Sequence, residues 1–165
     1  MCLSRYTPLT MADILEIDWL PQRWLFRSRR SIPAEGEFYA VVGIHDYGTF
    51  GPSLLYVGSA YGQPVVERLC QPHVAFQRIP GYELAHPGRI VAVMIGKAAD
   101  SNRMAVHRSL VEAAEALLIN EYQPLFNTSH IESYSRRPLV VENTGARSPF
   151  SQYAATSQRA LNQWA

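Results

Sequence analysis

Three apolar runs of strand length, each bounded by turn-forming residues, constrain the fold of this chain more than any other feature. The first reads Phe-Tyr-Ala-Val-Val-Gly-Ile from Phe38 to Ile44. The second is Leu-Leu-Tyr-Val-Gly-Ser from Leu54 to Ser59, and the third Arg-Ile-Val-Ala-Val-Met-Ile from Arg89 to Ile95. Runs this short and this rich in β-branched residues read as strands. The stretch Asp46-Tyr-Gly-Thr-Phe-Gly-Pro-Ser53 between the first two is a loop, so those strands are expected to pair antiparallel over a long connection. The longest helix is expected over about Arg103 to Tyr122, with Asp100, Ser101 and Asn102 as N-cap candidates and Pro124 as its stop. Its stripe of Leu110, Val111, Ala114, Leu117 and Leu118 has the spacing of a core-facing helix.

Around these elements the sequence is less decided. Met11 to Leu20 is a short amphipathic stretch closed by Pro21. Pro64 suits the first turn of a helix carrying Val65 to Leu69, which Pro72 should stop or kink. Residues 73–88 read as irregular, with turn signals at Pro80-Gly81 and Pro87-Gly88. The last 35 or so residues are polar with scattered aromatics and read as a loosely ordered tail. The expected architecture is α+β: a small three-stranded antiparallel sheet flanked by helices. The expected organisation is an N-terminal extension over 1–35, a domain over 36–128, and a C-terminal tail over 129–165.

Composition narrows the functional classes. The chain has 165 residues, 47% of them hydrophobic and 18% charged, which excludes a wholly disordered polypeptide. A net charge of +1 argues against binding to nucleic acid by bulk charge alone. Lys97 is the only lysine among 15 basic residues, and arginine forks suit phosphate and carboxylate geometry. Arginine and aromatic side chains interleave over Arg23, Trp24, Leu25, Phe26, Arg27, Ser28, Arg29 and Arg30. That pattern suits nucleic acid, with guanidiniums on phosphates and rings on bases, and equally an ordinary packing segment. Cys2 and Cys70 cannot build a zinc finger or a disulfide framework, and the five histidines form no zinc-hydrolase pattern. No apolar run reaches membrane-spanning length and no secretory signal is legible, so an intracellular location is expected.

One acidic residue stands out. Glu115 borders the apolar stripe, with Val111, Leu118 and Ile119 as its helical neighbours, so its carboxylate needs an arginine, a donor or a metal ion. The ordered set around it resembles the GIY-YIG nuclease superfamily. Glu37-Phe38-Tyr39 stands where the first signature tripeptide would be, and Tyr56-Val57-Gly58 where the second would be. Arg68 follows, and Glu115-Ala-Leu-Leu-Ile-Asn-Glu-Tyr-Gln-Pro-Leu-Phe-Asn127 is similar to the family's helix-to-loop element with its metal-binding Glu and structural Asn. The resemblance covers roughly residues 36–127.

The resemblance implies a metal-dependent endonuclease acting on DNA. Glu115 would be the one protein ligand of Mg²⁺ or Mn²⁺, a cation that keeps several waters. Arg68 would oppose the charge that builds on the phosphorus. Tyr39 and Tyr56 are both candidates for the base that takes a proton from water, their pKa lowered by metal and arginine. His73 is either an auxiliary proton carrier or an exposed loop histidine, while Gly58 and Asn127 are expected to be structural. Arg23, Trp24, Arg27, Arg29 and Arg30 are the candidate DNA contacts. The sequence also departs from the pattern: Glu37 replaces the first glycine, Ser59 stands where relatives often carry lysine, and the Tyr56-to-Arg68 spacing is longer by about two residues. These departures sustain an alternative, a catalytically weak or inactive nucleic-acid-binding or interaction module. Compact relatives often need two copies to cut both strands, which leaves a homodimer open.

Overall fold

The computed structural model describes residues 12–45, 51–100, 106–131, 134, 138–157 and 162. In chain order its elements are β1 (Asp13–Trp19), β2 (Trp24–Leu25), a 3-10 turn (Phe26–Ser31), β3 (Phe38–His45), β4 (Ser53–Ser59), α1 (Val65–Cys70), α2 (Val74–Gln77), α3 (Ile79–Ala85), β5 (Arg89–Asp100), α4 (Arg108–Tyr122), β6 (Leu139–Gly145) and β7 (Tyr153–Ala155).

The three expected strands are present as β3, β4 and β5, adjacent and antiparallel in the order β4-β3-β5. The expected small three-stranded sheet flanked by helices is nevertheless wrong. Among the described residues the sheet has seven strands, ordered β4-β3-β5-β1-β6-β7 with β2 also on β5, and β6 runs parallel to β1. The physical reason lies in β1. Leu15, Ile17 and Trp19 are fully buried while Glu16 and Asp18 are exposed, a period of two that belongs to a strand with one covered face. Once β1 joins the far half of β5, pairing Trp19 with Gly96 and Leu15 with Asp100, its other edge needs a partner. Leu139, Val140 and Val141 supply it, so the segment expected to be a loose tail continues the sheet as β6 and β7.

Two further expectations change. Residues 73–88 are not irregular: His73 caps α2 by accepting from the Ala75 N–H, and α3 follows with Pro80 in its first turn. The long helix begins at Arg108, where His107 Nδ1 accepts from the Ser109 N–H. Asp100 instead ends β5, and the other cap candidates, Ser101 and Asn102, lie outside the described residues, as do Cys2 and most of the loop after β3. The C-terminus of α4 is as the proline signals: Gln123 adopts a left-handed conformation (φ 46°) and Pro124 follows.

The sheet is covered on both faces. Phe38, Ala40, Val42 and Val57 pack with Leu15, Ile17 and Trp19 under the α4 stripe. Tyr39, Val41, Val93 and Ile95 point to the other face, toward Leu69, Phe76 and Ile79 from the three short helices. A bulge between Val41 and Val42 breaks the alternation on β4, so Leu55 and Tyr56 both pack on this second face. Tyr56 shares the face of Tyr39 through the regular register, opposite Val41, and the irregularity adds Leu55 to that face.

Candidate active site

Tyr39 and Tyr56 stand on neighbouring strands and their rings stack with centroids 6.0 Å apart. Gly58, directly opposite Tyr39 in the β3–β4 ladder, makes this possible. A Cβ at Gly58 would lie 2.5 Å from the Tyr39 Cζ and hydroxyl and 2.8 Å from Tyr56 Cε1. The interaction between the two phenols raises the pKa of Tyr39 and lowers that of Tyr56.

Arg68 on α1 lies within electrostatic reach of both tyrosines and of His73. Its guanidinium donates a 2.8 Å bond to Gln71 Oε1, and Gln71 Nε2 donates in turn to Gln63 Oε1 at 2.9 Å. Neither glutamine was singled out from the sequence. Gln63 belongs to the lengthened turn between β4 and α1, so that departure in spacing supplies the anchor of the arginine.

Glu115 on α4 reaches the same place from the opposite face of the sheet, around the edge strand β4. Its Oε2 accepts a 2.6 Å hydrogen bond from Ser59 Oγ, and its charge acts on both tyrosines. Ser59 is thus a third residue, after Gln71 and Gln63, whose role rests on a contact between elements. The chain leaving α4 is fastened to β4 by Asn127, which is buried. Its Oδ1 accepts from the Val57 N–H and its Nδ2 donates to the Val57 carbonyl, each at 2.9 Å. The Phe126 N–H also donates to the Leu55 carbonyl at 2.8 Å. The edge of β4 is therefore satisfied by the segment that follows the Glu115 helix, which fixes Glu115 relative to Tyr56.

His73 presents one nitrogen to this group. Because Nδ1 accepts from the Ala75 N–H, the proton of the neutral ring resides on Nε2, which lies 3.5 Å from the Tyr56 hydroxyl. Burial and then the Arg68 charge hold the His73 pKa below its ordinary value. Desolvation also governs the tyrosines. Burial pushes Tyr39 far up, helped by the charge of Tyr56, and burial followed by the Glu115 charge pushes Tyr56 up. Arg68 lowers both, but by less than burial raises them. The chain's own arginine does not make either phenol acidic.

A divalent cation was part of the expected site, and the donor set can be tested against it. Among the described residues no group of three or more His, Cys, Asp or Glu side chains is arranged to hold a metal. The groups that contact places at Glu115 are its own carboxylate and the Ser59 hydroxyl, both hard oxygen donors. That set fits Mg²⁺ or Mn²⁺ retaining most of its waters, and fits poorly a softer ion that needs nitrogen or sulfur.

The arginine-aromatic segment does not form a continuous basic face. Arg27 is paired with Glu83 at 3.0 Å, and Arg29 donates to the Leu69 carbonyl at 3.2 Å with its guanidinium 4.8 Å over the Phe26 ring. Trp24 pairs with Val93 in β2 and packs against the second core cluster. Arg30 is exposed, and Arg23 donates to the Ser148 carbonyl at 2.9 Å.

Comparison with family models, with curated proteins and with solved structures gave no match. Among the described residues no helix is long and apolar enough to cross a membrane.

Proposed function

We propose that this chain is a metal-dependent endonuclease that hydrolyses DNA phosphodiester bonds. One observation carries the reading: Tyr39 and Tyr56 stack beside Gly58, Glu115 of α4 is bonded to Ser59 next to that glycine, and the charges of Glu115 and of Arg68 on α1 both act on the two phenols. The resemblance of the same ordered residues to the GIY-YIG nucleases supports it independently.

Each group has a role in that reaction. Glu115 holds Mg²⁺ or Mn²⁺ through its carboxylate, with Ser59 fixing the carboxylate's orientation. When bound, the cation polarises the phosphate and stabilises the leaving oxygen. Arg68, braced by Gln71, presents a permanent positive charge to the phosphate as negative charge builds there. Tyr56 would take the proton from the attacking water only as its phenolate, its own proton having gone to solvent, a state that the charge of a cation held at Glu115 would have to favour against burial. It is preferred over Tyr39 because the Nε2–H of His73 faces its hydroxyl and because the interaction between the two phenols lowers its pKa while raising that of Tyr39.

A second reading has an observation of its own. Both tyrosines are pushed upward by burial, which suits a module that binds a phosphodiester without turning it over. Purified protein incubated with Mg²⁺ or Mn²⁺ and branched, double-stranded or single-stranded DNA separates the two. Cleavage of any of these supports the nuclease. Binding without cleavage supports the module, and neither binding nor cleavage removes both.

A further inference from the structure

A second basic site lies across the sheet. The strand register sets Gly145 of β6, Trp19 of β1, Gly96 of β5, Phe38 of β3 and Ser59 of β4 in one row. At about 4.8 Å between strands, Gly145 is about 19 Å from Ser59 along the sheet. Beside Gly145 opens a cavity of about 460 Å³ lined by Arg23, Gly145, Ala146, Arg147, Ser148 and Phe150. Two guanidiniums and no carboxylate line it. Asp18, whose carboxylate abuts Gly145, lies within reach of the Lys97 ammonium.

The loop that carries Arg147 is built rather than draped. Phe150 is buried and stacks on Trp19 at 4.6 Å. Trp19 Nε1 donates to Asn143 Oδ1 at 3.0 Å, and Asn143 Nδ2 donates to the Ser151 carbonyl at 3.0 Å. The Ala146 N–H donates to the Trp19 carbonyl at 2.8 Å, and Arg23 closes the loop through the Ser148 carbonyl. The cavity is open to solvent and carries two guanidiniums, of which Arg23 also holds the Ser148 carbonyl, and planar N–H forks suit phosphate oxygens.

We propose that this cavity binds a backbone phosphate of the DNA whose scissile phosphate sits at Tyr56, Arg68 and Glu115. The proposal rests on the nuclease reading for its substrate.

The test combines a binding titration with amide spectra. Binding of a labelled duplex of about 20 base pairs is measured by fluorescence anisotropy over a series of salt concentrations. Wild type is compared with Arg147→Ala and with the Arg23→Ala, Arg147→Ala double variant. Arg147→Ala leaves the Arg23–Ser148 bond in place, so it reports on charge even if the double variant disturbs the loop. The expected result is affinity lowered by roughly tenfold at low salt, with the slope of log K against log salt reduced by about one. Amide spectra of the wild type should show the duplex shifting Ala146 and Arg147 more than inorganic phosphate does. If wild type cuts DNA while the variants bind with unchanged slope, the cavity is overturned and the nuclease reading stands. If inorganic phosphate shifts those amides and DNA does not, the cavity takes free phosphate and the proposal is wrong. If wild type neither binds nor cuts DNA, both fall.

Discussion

Ser59 Oγ donates a 2.6 Å hydrogen bond to Glu115 Oε2, joining the last residue of β4 to the middle of α4. A carboxylate bordered by apolar side chains is costly to leave without a donor, and this bond supplies one while restricting its rotamer. Where the GIY-YIG resemblance leads one to expect a lysine, the chain has a neutral hydroxyl instead. Ser59→Ala should lower Mn²⁺ affinity by about tenfold, the usual loss when an outer-shell partner of a metal ligand is removed. Electron paramagnetic resonance of free Mn²⁺ during a titration without DNA measures this directly. Unchanged affinity would show that Ser59 does not orient a metal ligand.

Asn127 offers a sharper stability prediction. Both ends of its carboxamide are bonded to the Val57 backbone in a buried setting. Asn127→Ala leaves a buried N–H and a buried carbonyl without those partners. The expected loss is about 2–6 kcal/mol, from roughly 1–3 kcal/mol for each of the two unsatisfied groups. Urea unfolding should show a lower midpoint at an unchanged slope. A loss below about 0.5 kcal/mol would mean that water replaces the side chain and that the β4–α4 fastening is weak.

Gly58→Ala tests the packing of the tyrosines. The added methyl would meet both rings well inside normal contact distance. Overpacking of this kind typically costs about 1–3 kcal/mol, and here the rings must move to accommodate it. Circular dichroism in the far ultraviolet should be retained while the near-ultraviolet tyrosine signal changes and DNA cleavage is lost. Retained cleavage would show that the stacked arrangement of Tyr39 and Tyr56 is not needed.

The pH dependence of stability follows from three shifts. Burial raises Tyr39 and Tyr56 above the ordinary value of about 10, so their neutral forms stabilise the fold below that pH. This contribution is lost as pH rises through the raised values. His73 is shifted the other way by burial and Arg68, so its contribution is present above about pH 6.5 and lost as pH falls through its lowered value. Thermal unfolding should therefore show Tm declining above about pH 10 and below about pH 6.5. Tyr56→Phe should soften the alkaline decline, and His73→Asn the acid one. An alkaline decline identical in Tyr56→Phe and wild type would contradict the burial assigned to that phenol.

The sequence was most legible where a local pattern had only one physical reading. The apolar runs of β3 and β4, the α4 stripe and the stop at Pro124 needed no partner to be recognised. What it concealed depends on distant pairing. The period-two pattern of Leu15, Ile17 and Trp19 is too short to distinguish from a helix face until β6, more than a hundred residues on, is set beside it. Gly96 to Asp100 has weak strand character and is extended because β1 holds it there. The site followed the same division. Tyr39, Tyr56, Arg68 and Glu115 could be picked out by type and order. Gln63, Gln71 and Ser59 act through bonds between elements that no local pattern announces.

The central claim is that Glu115 holds a divalent cation used to cut DNA. Nicking of supercoiled plasmid by wild type and by Glu115→Ala, each with and without Mg²⁺, tests it most directly, with circular dichroism confirming that both are folded. The account predicts Mg²⁺-dependent conversion to open circles by wild type and loss of that activity, by at least about a hundredfold, in the variant. Equal nicking by the two proteins, or no nicking by wild type on any DNA form, would contradict it.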